Sequence, residues 1–132
     1  MTTPIPDTAH DLLSRPITAG LITVMPDGQP QATPVWFDFD GENIRVNTAE
    51  GRQKTRNMAR DSKVTLLIID PQNPFHWLEW RGHVAEICDA ENGAVEHIRV
   101  LSNRYTGSAD YQIAPDEQRV MVIIAADKIN AQ

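Results

Sequence analysis

Residues 47–61 read Asn-Thr-Ala-Glu-Gly-Arg-Gln-Lys-Thr-Arg-Asn-Met-Ala-Arg-Asp and place Arg52, Lys54 and Arg56 on one short segment. The segment follows an apparent strand and opens an apparent helix. The N–H groups of a helix's first turn have no partner inside the helix, and the helix dipole favours negative charge there. Cationic side chains at the same end add to that preference, so the segment can seat a phosphate. The competing reading is a solvated basic helix, the usual fate of a charge run.

A second constellation is aromatic. Pro34, Val35 and Trp36 lie one hairpin away from Asn47, Thr48, Ala49 and Glu50. Two adjacent antiparallel strands can present backbone N–H and C=O groups to the edge of a planar heterocycle. Phe75 and Trp77 can cover a ring. Ordinary core or subunit packing is the alternative for Trp36, Trp77 and Trp80.

Other chemistries lack support. The histidines are His10, His76, His83 and His97, and none is spaced from another as metal ligands on a helix or hairpin are. No metal site is expected. Ser14, Ser62, Ser102 and Ser108 have no nucleophile-elbow context. No P-loop or dinucleotide glycine fingerprint is present. Cys88 is the only cysteine, so no internal disulfide forms, and it reads as a small buried hydrophobe. No catalytic residue can be named from these residues.

The whole chain sets the frame. A net charge of −6 argues against a nucleic-acid binder, whose affinity comes from neutralising phosphates. It leaves room for a small anionic ligand in one basic pocket. The N-terminal residues lack the basic and apolar blocks of a signal peptide, and no apolar run approaches the ~20 residues that span a bilayer. A cytoplasmic protein without a membrane partner is expected, folded as one domain over residues 1–132.

The elements that must position these residues follow from pattern. A short helix is expected over 8–15, with Thr8 and Asp11 as a weak capping box. Strands are expected over 17–24, 31–39, 43–48, 63–69, 76–87 and 119–125, with Pro34 interrupting the second. The strand over 63–69 is nearly all apolar and is expected to be covered on both faces. Helices are expected over 52–60 and 89–105, the latter stopped by Gly107. Six strands with early tight hairpins imply an α+β, mainly β, antiparallel barrel with flanking short helices.

The run Ala49-Glu50-x-Arg52-x-Lys54-Thr55-Arg56-Asn57, followed by Val64-Thr65-Leu66-Leu67, resembles the split β-barrel flavin and deazaflavin oxidoreductases, relatives of pyridoxamine 5′-phosphate oxidase. Pro34-Val35-Trp36-Phe37, Asp40-Gly41 and Glu79-Trp80-Arg81-Gly82-His83-Val84 extend the resemblance over nearly the whole chain. The basic run looks most like the branch that uses coenzyme F420, with FMN as the alternative cofactor. The resemblance implies a homodimer with cofactor sites at the subunit interface, and hydride transfer to or from a small conjugated substrate.

By that resemblance, Arg52 and Lys54 hold the cofactor phosphate. Pro34, Val35 and Trp36 line the ring, and Asn47, Thr48, Ala49 and Glu50 form the loop beneath it. Phe75, Trp77 and Arg81 approach from the partner subunit. A basic exit path through Arg56, Arg60 or Arg104 would suit the acidic tail of F420. The chain departs from the family where it stops at Gln132, a few residues past the expected last strand, without the oxidase's C-terminal substrate motif. A non-catalytic flavin carrier or redox sensor, and an FMN-dependent oxidase-like protein, are the rival readings.

Overall fold

A proline inside a strand removes one ladder donor, and the strand expected over 31–39 does not run through. The computed structural model describes residues 3–132. There the strand is two, β2 (Pro30–Val35) and β3 (Phe37–Phe39), parted at Trp36. Pro34 itself still sits opposite Gly20 in the ladder, so the interruption falls two residues later. The expected six strands are therefore seven. The rest are β1 (Ala19–Val24), β4 (Ile44–Ala49), β5 (Lys63–Ile69), β6 (Trp77–Cys88) and β7 (Arg119–Ala131).

All seven form one antiparallel sheet in the order β2-β1-β5-β6-β7-β4-β3. Its two edge strands are consecutive in the chain and joined through Trp36 alone. Two residue steps span at most about 7 Å, so the edges must meet there and the sheet curls into a split barrel. Its interior holds Leu21, Phe37, Leu66, Leu78, Trp80 and Ile124, all fully buried. β5 alternates rather than being covered on both faces: Val64, Leu66 and Ile68 are buried, whereas Leu67 and Ile69 are 38% and 43% exposed.

Three helices flank the sheet: α1 (Asp7–Ser14), α2 (Gln53–Arg60) and α3 (Ala94–Thr106). α1 buries Ala9, Leu12 and Leu13, the i, i+3, i+4 stripe of an amphipathic helix. Pro6, not Thr8, stands at its N-cap, and the expected capping box does not form. The helix expected from residue 89 begins later. Gly93, at φ +111°, separates a 3₁₀ turn over Ala90–Asn92 from α3. Only glycine adopts that backbone without strain. Gly107 ends α3 as expected, at φ +84°.

The end of α3 seals the barrel's seam. Phe37 N–H donates to Tyr105 Oη (3.1 Å), and that hydroxyl donates to the Ile17 carbonyl (2.7 Å). Arg104 Nε donates to the Phe37 carbonyl (3.1 Å). Backbone groups at the break thus find side-chain partners where a ladder would otherwise supply them. Arg104 Nη2 also donates to the carbonyls of Leu13 (3.2 Å) and Arg15 (2.7 Å) at the end of α1. Its donors are thus committed to structural carbonyls.

β6 and β7 form the longest pairing, and β7 continues to Ala131, opposite Leu78, well past its expected end at 125. The register shifts between Arg81 and Gly82 and again between Val84 and Glu86. At the first shift the strands come very close. A Cβ on Gly82 would lie 2.0 Å from the Ala125 carbonyl oxygen. Gly82→Ala is therefore expected to cost about 1–3 kcal/mol as the backbone is forced apart. Chemical denaturation would check it; an unchanged midpoint would show that the bulge can open freely.

Candidate functional site

The hydroxyls of Thr48 and Thr55 fix where α2 begins. Thr55 Oγ1 donates to the Ala49 carbonyl (2.7 Å) and lies 3.2 Å from Thr48 Oγ1, both buried. This clamps the end of β4 to the first turn of α2. On the helix's inner face the fully buried Asn57 donates to Thr23 Oγ1 on β1 (3.0 Å). These contacts set the direction in which the basic segment leaves the sheet. Arg52 and Lys54 consequently face a cleft beside the seam.

That cleft has a volume of about 330 Å³, within the lower range of ligand pockets. Thr18, Pro34, Val35 and Trp36 form one wall. Arg52, Lys54, Asn47 and Arg119 supply polar groups, and Ile98, Leu101 and Tyr111 close the apolar side. Trp36 stacks on Tyr105 with ring centroids 5.1 Å apart and planes 12° from parallel. Six of the residues expected from sequence thus meet in one place: Pro34, Val35, Trp36, Asn47, Arg52 and Lys54.

The others lie elsewhere in the chain. Thr48 and Ala49 act as the clamp. Glu50 is exposed and borders a separate hollow with Glu86, Cys88 and Asp89. Burial, and then Glu86, push the Cys88 thiol up, which keeps it out of its reactive form. Arg56 turns away from the cleft to donate to the Gly51 carbonyl and to Gln53 Oε1 (2.7 Å). Arg60 donates to the Val24 carbonyl. Phe75 is 84% exposed. Trp77 borders Leu67, Ile69 and Pro74, and Arg81 pairs with Glu79 (3.0 Å). Trp80 takes the ordinary alternative and is fully buried in the core.

Arg119, Tyr111, His97 and Asp38 escaped the sequence reading. Arg119 opens β7 and is 3% exposed. Its Nε donates to Asn47 Oδ1 (2.8 Å), Nη1 to Glu117 Oε1 (2.6 Å), and the guanidinium lies 5.5 Å from the Tyr111 ring centre. A charged residue heading the apolar run Val120-Met121-Val122 was the available signal. Nothing in the sequence paired it with Asn47.

The electrostatics favour an anion. Lys54 is pushed below the ordinary lysine value, first by burial and then by the charges of Arg52 and Arg119. Its Nζ has Thr33 Oγ1 as a neutral partner at 3.2 Å. A bound phosphate would relieve the repulsion among the three cations. Asp11, Asp70 and His76 also cluster at metal-ligand separations. There Arg15 already donates to both carboxylates, at 3.0 and 3.2 Å, and meets their charge.

Asp38 carries a consequence for acid stability. Burial alone would push its carboxyl up, but hydrogen bonds from His97 and Arg45 outweigh it and hold the pKa below the ordinary value. Its contribution to stability is full above the unfolded-state pKa of about 3.9 and is lost as pH falls through the lower native value. Thermal midpoints below about pH 4 should fall more steeply for the parent protein than for Asp38→Asn. Parallel slopes would contradict this.

Residues 5–132 match the pyridoxamine 5′-phosphate oxidase family, and the chain belongs to it. An F420 reductase structure superposes with a TM-score of 0.84 at 33% identity, covering 97% of this chain and 100% of the reductase. A conserved hypothetical protein from Mycobacterium tuberculosis matches at 27% identity and TM-score 0.78, covering 98% and 85% of the two chains. General Stress Protein 26 from Bacillus anthracis shares the fold at 17% identity and TM-score 0.71, with 95% and 91% covered.

Proposed function

We propose that this chain is an oxidoreductase that binds coenzyme F420, with FMN as the alternative. It would pass hydride to or from a small conjugated substrate. One observation carries the reading: Arg52, Lys54 and Arg119 converge on a cleft walled by Pro34, Val35 and Trp36. The 33% identity to an F420 reductase over its full length supports F420 as the first choice.

Arg52 and Lys54 would hold the phosphate, and Trp36 with Val35 would orient the ring. Bound there, the flavin or deazaflavin supplies the hydride chemistry, and the protein supplies orientation and electrostatics. No side chain of the cleft is assigned as proton donor; solvent can supply the proton. A homodimer would complete the site. Among the described residues no helix is long and apolar enough to cross a membrane. Leu67, Ile69, Phe75 and Trp77 offer an apolar surface for a second copy, as a large exposed patch usually does.

The test is a titration with F420 and with FMN, read by quenching of tryptophan fluorescence. Saturable F420 binding supports the proposal. Tight FMN binding alone moves the choice to FMN, and binding of neither ends it. Binding without oxidation of the reduced cofactor by a panel of quinones and enones would favour the carrier or sensor reading.

A further inference from the structure

A chain of buried polar groups runs from the barrel surface to the cleft. Arg45 grips Asp38 with two nitrogens, Nε to Oδ1 at 2.9 Å and Nη2 to Oδ2 at 2.5 Å. Asp38 Oδ1 lies 2.9 Å from His97 Nε2. His97 Nδ1 lies 3.1 Å from Asn47 Nδ2. Asn47 then accepts from Arg119. Asp38, His97, Asn47 and Arg119 are all buried, at 7%, 3%, 9% and 3% exposure.

The direction of every bond in this chain is determined. Arg119 Nε can only donate, so the Asn47 carbonyl oxygen must face it. Asn47 Nδ2 must then face the Ala94 carbonyl (2.8 Å) and His97 Nδ1. An amide nitrogen cannot accept, so His97 Nδ1 is the acceptor and Nε2 carries the proton toward Asp38. If the Asn47 amide flipped, a donor would meet a donor at Arg119 and an acceptor would meet an acceptor at Ala94. The relay thus locks one amide orientation, and with it the guanidinium.

What the lock leaves over is informative. Arg119 spends Nε on Asn47 and Nη1 on Glu117. Among the described residues no acceptor takes a bond from Nη2, although the side chain lines the cleft. Burying an arginine is costly, and a structural arginine would have its donors met by carbonyls, as Arg104 has. Arg119 is instead close enough to Lys54 to depress its pKa. Glu117 meets part of the Arg119 charge from one side, but among the described residues Arg52 and Lys54 have no carboxylate beside them in the cleft lining, and an oxyanion would stabilise that arrangement.

We propose that Arg119 is an anion-recognition residue of the cleft, the third member of a seat with Arg52 and Lys54. Asn47, His97 and Asp38 are its positioning residues. The ligand group is an oxyanion, a phosphate or a carboxylate, taken by the free edge of the guanidinium. This rests on the cleft being an anion site, as in the proposed function, but not on which cofactor occupies it.

Inorganic pyrophosphate serves as the probe, with binding measured by calorimetry and the Arg119 Nε–H signal followed by ¹⁵N NMR. The wild-type protein should bind it saturably, and the Arg119 signal should shift on binding. Arg119→Met should weaken binding roughly 10- to 150-fold, the range for a charge-assisted contact. Arg119→Lys keeps the charge without the planar fork and should recover only part of the loss. His97→Leu should weaken binding about 3- to 10-fold, the size of one ordinary hydrogen bond. His97→Gln offers a donor to Asp38 and an acceptor to Asn47, and should restore it.

Absent pyrophosphate binding, a motionless Arg119 signal or an unchanged affinity in folded Arg119→Met and Arg119→Lys overturns the anion role. Equal affinities in His97→Leu and wild type overturn the relay. Arg119-dependent pyrophosphate binding with no binding of F420 or FMN would support this assignment and overturn the cofactor reading.

Discussion

Replacing Arg52 and Lys54 together by Ala is expected to raise the cofactor Kd about 100-fold or more, since each charge-assisted contact contributes roughly 1.5–3 kcal/mol. Stability should move the other way, or not at all. Lys54 has a neutral partner in Thr33 and like charges in Arg52 and Arg119. Its lowered pKa means that the native fold holds that proton less tightly than the unfolded chain. That cost is present at neutral pH and is relieved as pH rises through the native value toward about 10.4. The cofactor-free variant should therefore melt no lower than the parent. Calorimetric titration and a thermal melt check both halves. An unchanged Kd would remove the phosphate from this end of the cleft. A large drop in melting temperature would mean that the cations are structural. Affinity in the parent should also weaken with added salt, because partly exposed charges are screened.

Much of the cleft was legible because its parts are close in sequence. Arg52 and Lys54 share one turn, and Pro34, Val35 and Trp36 are consecutive. A strand followed by a helix start fixes their relation locally. Arg56 shows the limit of that logic. It lies on the same short segment, yet its guanidinium folds back onto the Gly51 carbonyl, a choice of rotamer that spacing does not encode. Arg119 lies 72 positions from its partner Asn47, so only the pairing of β4 with β7 brings them together. The same holds for the fold. Alternation at Val35, Phe37 and Phe39 revealed a strand. That its halves belong to opposite sheet edges follows from closure of the barrel, which no local pattern records. The reach of β7 to Ala131 was hidden for another reason: Asp127, Lys128 and Asn130 are polar, yet Lys128 and Asn130 pair with Arg81 and Glu79 because β6 is long enough to carry them, and Asp127 falls at the register shift.

Tyr105→Ala is expected to lower stability by about 2–4 kcal/mol and to weaken ligand binding as well. Its hydroxyl bridges the Phe37 N–H and the Ile17 carbonyl, and its ring supports Trp36. Leaving the backbone N–H at the seam without a partner costs about 1–3 kcal/mol. Losing the stacked pair adds roughly 0.5–1.5 kcal/mol beyond its buried area. Against a typical total of about 5–15 kcal/mol, that is a large share. Tyr105→Phe separates the two effects. It keeps the ring under Trp36 and loses only the hydroxyl, so it should lose stability but hold ligand at nearly the parent affinity. Urea denaturation and a binding titration on both variants decide the matter. If Tyr105→Phe binds as poorly as Tyr105→Ala, the hydroxyl, not the stacked ring, shapes the cleft wall. If Tyr105→Ala binds normally, Trp36 does not depend on the seam for its position. Trp36 is the single residue between the two edges of the barrel, so the contact that closes the fold also sets one wall of the site.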